Sequence, residues 1–189
     1  FFTREQEIQI YLANVFENSG LFDRVYLEYH IPAGIINNYP WNDANNIYVD
    51  IVLLKNGIYY PIEIKFKTQS QPIGINVFGA NQQIYLGHHG AQNIGCYDFW
   101  KDIKRLELYE SYSNNIEQGI MLFVSNDASY RTAPLNINTG YAQFSIHENK
   151  HVIINEVLNW NRPLTISQNR PPINLNREYL ISWTSMQIP

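Results

Sequence analysis

Asp50 and, after twelve intervening residues, the run Glu63-Ile64-Lys65 are the side chains whose types and spacing can do chemistry. They sit in YVDIVLLKNGIYYPIEIKFKT, from Tyr48 to Thr68, where runs rich in Val, Ile, Leu and Tyr flank Asn56-Gly57. That dipeptide supplies the positive φ angles of a type I′ turn, so the stretch predicts a β-hairpin. Counting outward from the turn, Lys55 faces Ile58, Leu53 faces Tyr60, Ile51 faces Ile62, and Asp50 faces Glu63 as a non-hydrogen-bonded pair with close side chains. Like charges opposed in this way cost stability unless something positive intervenes. The alternative, an ordinary amphipathic hairpin with exposed charges, gives no reason for that cost.

An Asp and a Glu so placed make a hard-oxygen site suited to Mg²⁺, which keeps several waters and works alongside phosphate oxygens. Strand alternation puts Lys65 on the face of Glu63, followed by Lys67. Beside an ion, Lys65 can position or deprotonate an attacking water and offset charge on a pentacovalent phosphate.

The elements that must hold these groups follow from periodicity. The reverse face of the hairpin, Val49, Ile51, Leu53, Ile58, Tyr60, Ile62, Ile64 and Phe66, is apolar and predicts a packed core. Thr3 and Gln6 form a capping box for a first helix carrying Ile8, Leu12, Val15 and Phe16, ended by Asn18 and Gly20. Leu21 to Ile31 alternates as a first strand, in which Glu28 is expected to be exposed. Ile31 to Asn46 reads as a loop with Pro32, Gly34 and Pro40, pinned to the core or lining a groove through Tyr39 and Trp41. After Thr68 comes a stretch rich in Gly, Gln and Asn, with a short helix or strand in Asn76 to Tyr85; its amides and glycines can reach a nucleic-acid backbone or base edges. Adjacent His88 and His89 do not share a face and favour solvent or substrate contact over metal ligation.

Tyr97 to Tyr112 predicts a second helix with Phe99, Ile103 and Leu106 buried. Asp98, Lys101, Asp102 and Arg105 make a charged stripe, read first as a ladder of ion pairs along the helix. Gly119 to Ser125 is apolar throughout and predicts a central strand, parallel if the helix is a crossover. Tyr141 to Ile146 and His151 to Asn155 suggest a second hairpin about Glu148-Asn149-Lys150. Trp160 to Asn176, with Pro163, Pro171 and Pro172, reads as loop, and Tyr179 to Thr184 as an edge strand.

At 189 residues, with 45% hydrophobic and 16% charged residues, the chain suits a single globular domain. No run approaches a membrane span and no signal peptide is visible, so a cytoplasmic protein is expected. One cysteine, Cys96, excludes an internal disulfide and a cysteine-based zinc site. A net charge of −4 is not the footprint of a nonspecific nucleic-acid binder, and points to local basic patches or to metal ions that neutralise phosphate.

Asp50 with Glu63-Ile64-Lys65 resembles the PD-(D/E)XK nuclease superfamily, whose signature is an Asp on the second core strand and Glu-x-Lys on the third; Val49 stands where the name has Pro. Glu5, Ile8 and Leu12 fit the first-helix pattern Glu-x-x-(Ile/Leu)-x-x-x-Leu. YDFWKDIKRLE, followed by a buried strand and Asn126-Asp127, is similar to a group of small bacterial members. The resemblance covers about Thr3 to Asp127. It implies an α/β fold with a restriction endonuclease-like αβββαβ core, a mixed central sheet flanked by helices, and additional C-terminal strands in residues 128–189. It further implies Asp50, Glu63 and the Ile64 carbonyl as ligands of Mg²⁺, with Mn²⁺ able to substitute. Asp50, Glu63, Lys65 and Glu5 would form the catalytic set, with Glu5 as a water-mediated metal contact or simply a favourable acid at a helix N-terminus. Lys67, Lys101 and Arg105 are the candidate phosphate contacts. The implied activity is metal-dependent hydrolysis of phosphodiesters, in DNA before RNA. A homodimer is one way to cut both strands. The alternatives are a nucleic-acid-binding or assembly protein that keeps the fold without cutting, and a phosphohydrolase acting on small nucleotides.

Overall fold

Asn56 and Gly57 take φ angles of 52° and 80°, and the turn they form sets Lys55 opposite Ile58 and, four pairs later, Ile51 opposite Ile62. This hairpin joins β2 (Ile47–Lys55) to β3 (Ile58–Lys67) at the centre of a four-stranded sheet. β1 (Arg24–Ile31) pairs antiparallel with β2, and β6 (Ile120–Ser125) pairs parallel with β3, giving the order β1-β2-β3-β6. The computed structural model describes residues 2–32, 34–43, 45, 47–162 and 168–185. Asn46 and Pro163, named above, lie outside the described residues.

Two helices cover the sheet. In α1 (Glu5–Ser19), Ile8 with Leu12 and Phe16 packs on Ile51, Leu53, Ile62, Ile64 and Phe66. Val15 is 45% exposed, because the buried stripe is centred nearer Gln9 and Ala13. The helix start differs from the expected box: the Thr3 amide and hydroxyl both donate to Glu7, not Gln6. Gly20, at φ 63°, closes the helix by donating to the Glu17 carbonyl.

Between β3 and β6 lie a second hairpin, β4 (Pro72–Val77) with β5 (Ala80–Tyr85), and α2 (Gln92–Tyr112). α2 is buried on more than the one face its periodicity suggests: Cys96, Tyr97, Trp100 and Tyr109 join Phe99, Ile103 and Leu106 inside. Leu106 and Tyr109 meet the sheet with Val49 and Val52. Tyr97 and Trp100 meet Phe144, Ile146, Val152, Leu158, Ile173 and Leu175 of the C-terminal region.

That region departs from the expected hairpin. Residues 142–144 form a single 3₁₀ turn, and β7 (His151–Val152) pairs with β10 (Tyr179–Leu180). β8 (Val157–Leu158) pairs with β9 (Ile173–Asn174), so the segment read as loop contains a strand and the expected edge strand is two residues long. None of the four extends the central sheet. β6, expected in the centre, is an edge strand whose apolar run is explained by both faces: Met121 and Phe123 pack on the C-terminal cluster, Leu122 and Val124 on the α1 side. The molecule is therefore mixed α/β, and among the described residues no helix is long and apolar enough to cross a membrane.

Candidate active site

The β2–β3 ladder stops at Ile51 and Ile62, one step before Asp50 and Glu63. In this register the main-chain groups of Ile62, Ile64 and Phe66 point toward β2. Two of those amides are taken by carboxylates in place of β2: the Ile64 N–H donates to Asp50 Oδ2 at 2.5 Å, and the Phe66 N–H to Glu5 Oε2 at 2.8 Å. By the same alternation the Ile64 carbonyl opens into that gap.

The strands change face at the gap. Val49 packs with Val52 on the α2 side, whereas Ile51 and Leu53 pack on the α1 side, so the uninterrupted alternation expected through Val49 fails at Asp50. β1 shows the same shift opposite: Tyr26 and Tyr29 share the α2 side, and Glu28 between them takes a φ of 48°. Gln9, buried at 6%, holds the break together. Its side-chain amide donates to the Asp50 carbonyl at 2.6 Å and to Glu28 Oε1 at 2.9 Å. Sequence reasoning passed over Gln9; its position four residues after Glu5, on the same helix face, was the available signal.

On the α2 side, β3 and α2 run as two facing columns of charge. Glu63 Oε1 is 3.2 Å from the Arg105 guanidinium, and Lys65 Nζ is 2.8 Å from Asp102 Oδ2. Arg105 also reaches Asp102 Oδ1 at 3.1 Å, donates to the Tyr48 carbonyl at 2.6 Å and to the Tyr109 hydroxyl at 2.8 Å. Lys67 and Asp98 feel one another at the next level. Steps of two along a strand and of three or four along a helix advance by similar distances, about 5–7 Å, so the columns stay in register. The stripe on α2 thus pairs mainly across to β3, with Arg105–Asp102 the one ion pair within it among the described residues.

Burial sets the protonation of the group. It pushes Glu63, 1% exposed, well above the usual carboxylate range, against the pull of the Arg105 guanidinium. It raises Asp50 to about 6, with the Ile64 amide and the Lys65 charge pulling the other way. For Lys65, burial alone would favour the neutral amine; the Asp102 carboxylate and hydrogen bond outweigh it and hold the ammonium above its ordinary value. An ammonium held in this way can orient a water and offset developing negative charge.

Two expected phosphate contacts are differently engaged. Arg105 is buried between Glu63 and Asp102, because two carboxylates inside the fold need a compensating cation. Lys101 lies off the column, 2.6 Å from Asp43 and over the Trp41 ring. Lys67 stays partly exposed on the β3 face. Trp41 pins its loop by donating to the Tyr97 hydroxyl at 2.8 Å. Glu28 is exposed, and its carboxylate is engaged by Gln9. His89 Nδ1 takes the Thr68 amide at 3.1 Å. The Cys96 thiol is 1% exposed, and burial raises it to about 12.

Among the described residues no group of three or more His, Cys, Asp or Glu side chains is arranged to hold a metal ion. The donors present at the gap are two carboxylates and a carbonyl, which suits an ion that keeps water ligands. A cavity of about 860 Å³ lies elsewhere, between β6 and the 177–184 segment, and neither Asp50, Glu63 nor Lys65 lines it. Comparison of the chain with protein-family models, curated proteins and solved structures gives no significant match.

Proposed function

We propose that the protein is a metal-dependent nuclease of the PD-(D/E)XK type that hydrolyses phosphodiester bonds in nucleic acid, with DNA as the expected substrate in a cytoplasmic setting. The observation that carries this reading is the interrupted ladder. β2 leaves β3 one residue before the two acids meet, and the freed amides of Ile64 and Phe66 orient the carboxylates of Asp50 and Glu5 there. The element order α1-β1-β2-β3-α2-β6, with β3 and β6 parallel, supports the restriction endonuclease-like core.

Asp50, Glu63 and the Ile64 carbonyl are the groups that would hold Mg²⁺ or Mn²⁺. Arg105 and Tyr109 both approach Oε1 of Glu63, so Oε2 lies outside those contacts. A bound divalent ion would supply Lewis acidity toward a phosphate oxygen and a lowered pKa for a coordinated water. Asp50 and Glu63 give up their protons to carry that charge. Lys65, kept protonated by Asp102, orients a water and offsets charge building on phosphate. Arg105 fixes the Glu63 rotamer, and Glu5 holds the outgoing end of β3.

A second reading has one observation in its favour: Arg105 and Lys65 already balance Glu63 and Asp102 without a metal, as in a site kept for structure alone. Calorimetric titration with Mn²⁺ beside a plasmid-nicking assay separates the two. The nuclease reading expects Mn²⁺ binding and nicking in the wild type, both lost in Asp50→Ala and Glu63→Ala. Undiminished nicking in either variant would remove this site.

A further inference from the structure

β4 and β5 form a two-stranded ribbon that leaves the fold directly after the strand bearing Glu63, Lys65 and Lys67. Its base is fixed to that strand. The buried Thr68 hydroxyl donates to the Gly87 carbonyl at 2.6 Å, the His89 amide to the Thr68 carbonyl at 2.8 Å, and Ile73 and Leu86 are buried. Beyond Ile73 the ribbon stands out from the protein, with Asn76, Val77, Ala80, Asn81, Gln82 and Gln83 all exposed.

The tip is the unusual part. Phe78 and Gly79 make a two-residue turn with φ angles of 50° and 89°, the same conformation as Asn56-Gly57 at 52° and 80°. Asn is favoured in the first of these positions, whereas a bulky side chain at positive φ is strained. The strain is not repaid within the protein, because Phe78 is fully exposed, at 106%. Strain held where no internal packing requires it points to a contact outside the chain.

Charge identifies the kind of contact. From Thr68 to Tyr97, thirty consecutive residues contain no Asp, Glu, Lys or Arg, so all 17 acidic residues of this net-acidic chain lie outside the ribbon and its flanks. A surface free of carboxylates can approach a polyanion without repulsion. A two-stranded ribbon fits the major groove of a duplex, where Asn and Gln recognise base edges, and exposed aromatic rings stack on bases. Behind the tip residues Val77, Gly79 and Ala80, the ribbon presents the amides of Asn76, Asn81 and Gln83 on one face.

We propose that the β4–β5 ribbon is the nucleic-acid-reading arm of the site, with Phe78 stacking on a base and Asn81 and Gln83, which share one face of the ribbon, meeting base edges, next to the phosphate presented to Lys65. This rests on the nuclease reading above. Because the arm carries no Lys or Arg, it adds affinity without adding counterion release.

Phe78→Asn is the decisive variant, since it suits the turn better than Phe and removes only the ring. Binding of a labelled DNA duplex to the full chain in Ca²⁺ is followed by anisotropy across a salt series. The expected result is a loss of about ten-fold in affinity, the magnitude of a lost stacking contact, with the salt dependence unchanged and the melting temperature not lowered. Phe78→Asn binding the duplex as tightly as wild type would overturn the arm while leaving the nuclease reading intact. Wild type that binds duplex without ever nicking would overturn the nuclease reading, and the arm would still be judged by the Phe78→Asn ratio. Failure of wild type to bind any DNA would overturn both. Loss of self-association in Phe78→Asn, with DNA binding unchanged, would reassign the tip to a protein contact.

Discussion

Asp50 is held near a pKa of 6 by burial, and the sign of its effect on stability follows. The folded state keeps the Asp50 proton more tightly than the unfolded chain does. The group therefore favours folding at pH below its ordinary value of 3.8, and that contribution is lost as pH rises toward 6. Asp50→Asn keeps an acceptor for the Ile64 amide but carries no charge, so in metal-free buffer at pH 8 we expect it to raise stability by roughly 1–3 kcal/mol, measured by urea unfolding. A cation must displace the same proton, and that of Glu63, so Mn²⁺ affinity should fall by at least ten-fold per pH unit below 6, read by calorimetry. Arg105 tests the other acid. Arg105→Ala leaves Glu63 and Asp102 buried without their shared cation, at an expected cost of about 3–5 kcal/mol, and combining Arg105→Met with Glu63→Gln should recover much of it.

The element that matters most is the break in the sheet. Local pattern identifies β2 and β3 and their register because a two-residue turn and a period of two are both short-range properties, and Asn56-Gly57 fixes them without help from the rest of the chain. The change of face at Asp50 has no such local signature, since Val49, Ile51 and Leu53 alternate in sequence as they would in an unbroken strand. The contact that accompanies it comes from another element: the Gln9 amide of α1 on the Asp50 carbonyl. Gln9→Leu retains the helix and the packing but frees that carbonyl. We expect about 1–3 kcal/mol of destabilisation together with a ten-fold or greater loss of Mn²⁺ affinity. A variant that lost stability but bound Mn²⁺ as wild type does would make Gln9 a packing residue only.

At the scale of the molecule, α2 is the shared wall. Its inner side carries the charge column against β3, and its outer side is closed by the C-terminal region through Trp100, Tyr97 and Phe144. The Trp100 indole donates to the Phe144 carbonyl at 2.9 Å, and the Glu107 carboxylate takes the Asn176 amide at 2.9 Å and the Tyr179 hydroxyl at 2.9 Å. Residues 1–127 alone would expose that apolar wall to water, so a fragment ending at Asp127 should not unfold cooperatively in urea. In the full chain Phe144→Ala, far from Asp50, should cost about 3–5 kcal/mol by the same measurement, as expected for a fully buried ring. Retention of a sharp transition by the fragment would show that the sheet and α2 are sufficient alone.

By itself the sequence determined the central hairpin, its register, the two helices and the parallel strand after the second, because turn chemistry and periodicity act between near neighbours. Tertiary structure alone decided which charges face one another. Lys65 meets Asp102, Glu63 meets Arg105, and Lys101 turns away to Asp43, since each choice depends on how far α2 is slid and rotated over β3. It also decided that the C-terminal residues fold as short pairs around α2 instead of as further strands of the sheet. Their apolar side chains are satisfied by burying the outer face of that helix, and nothing in their spacing names the surface they cover.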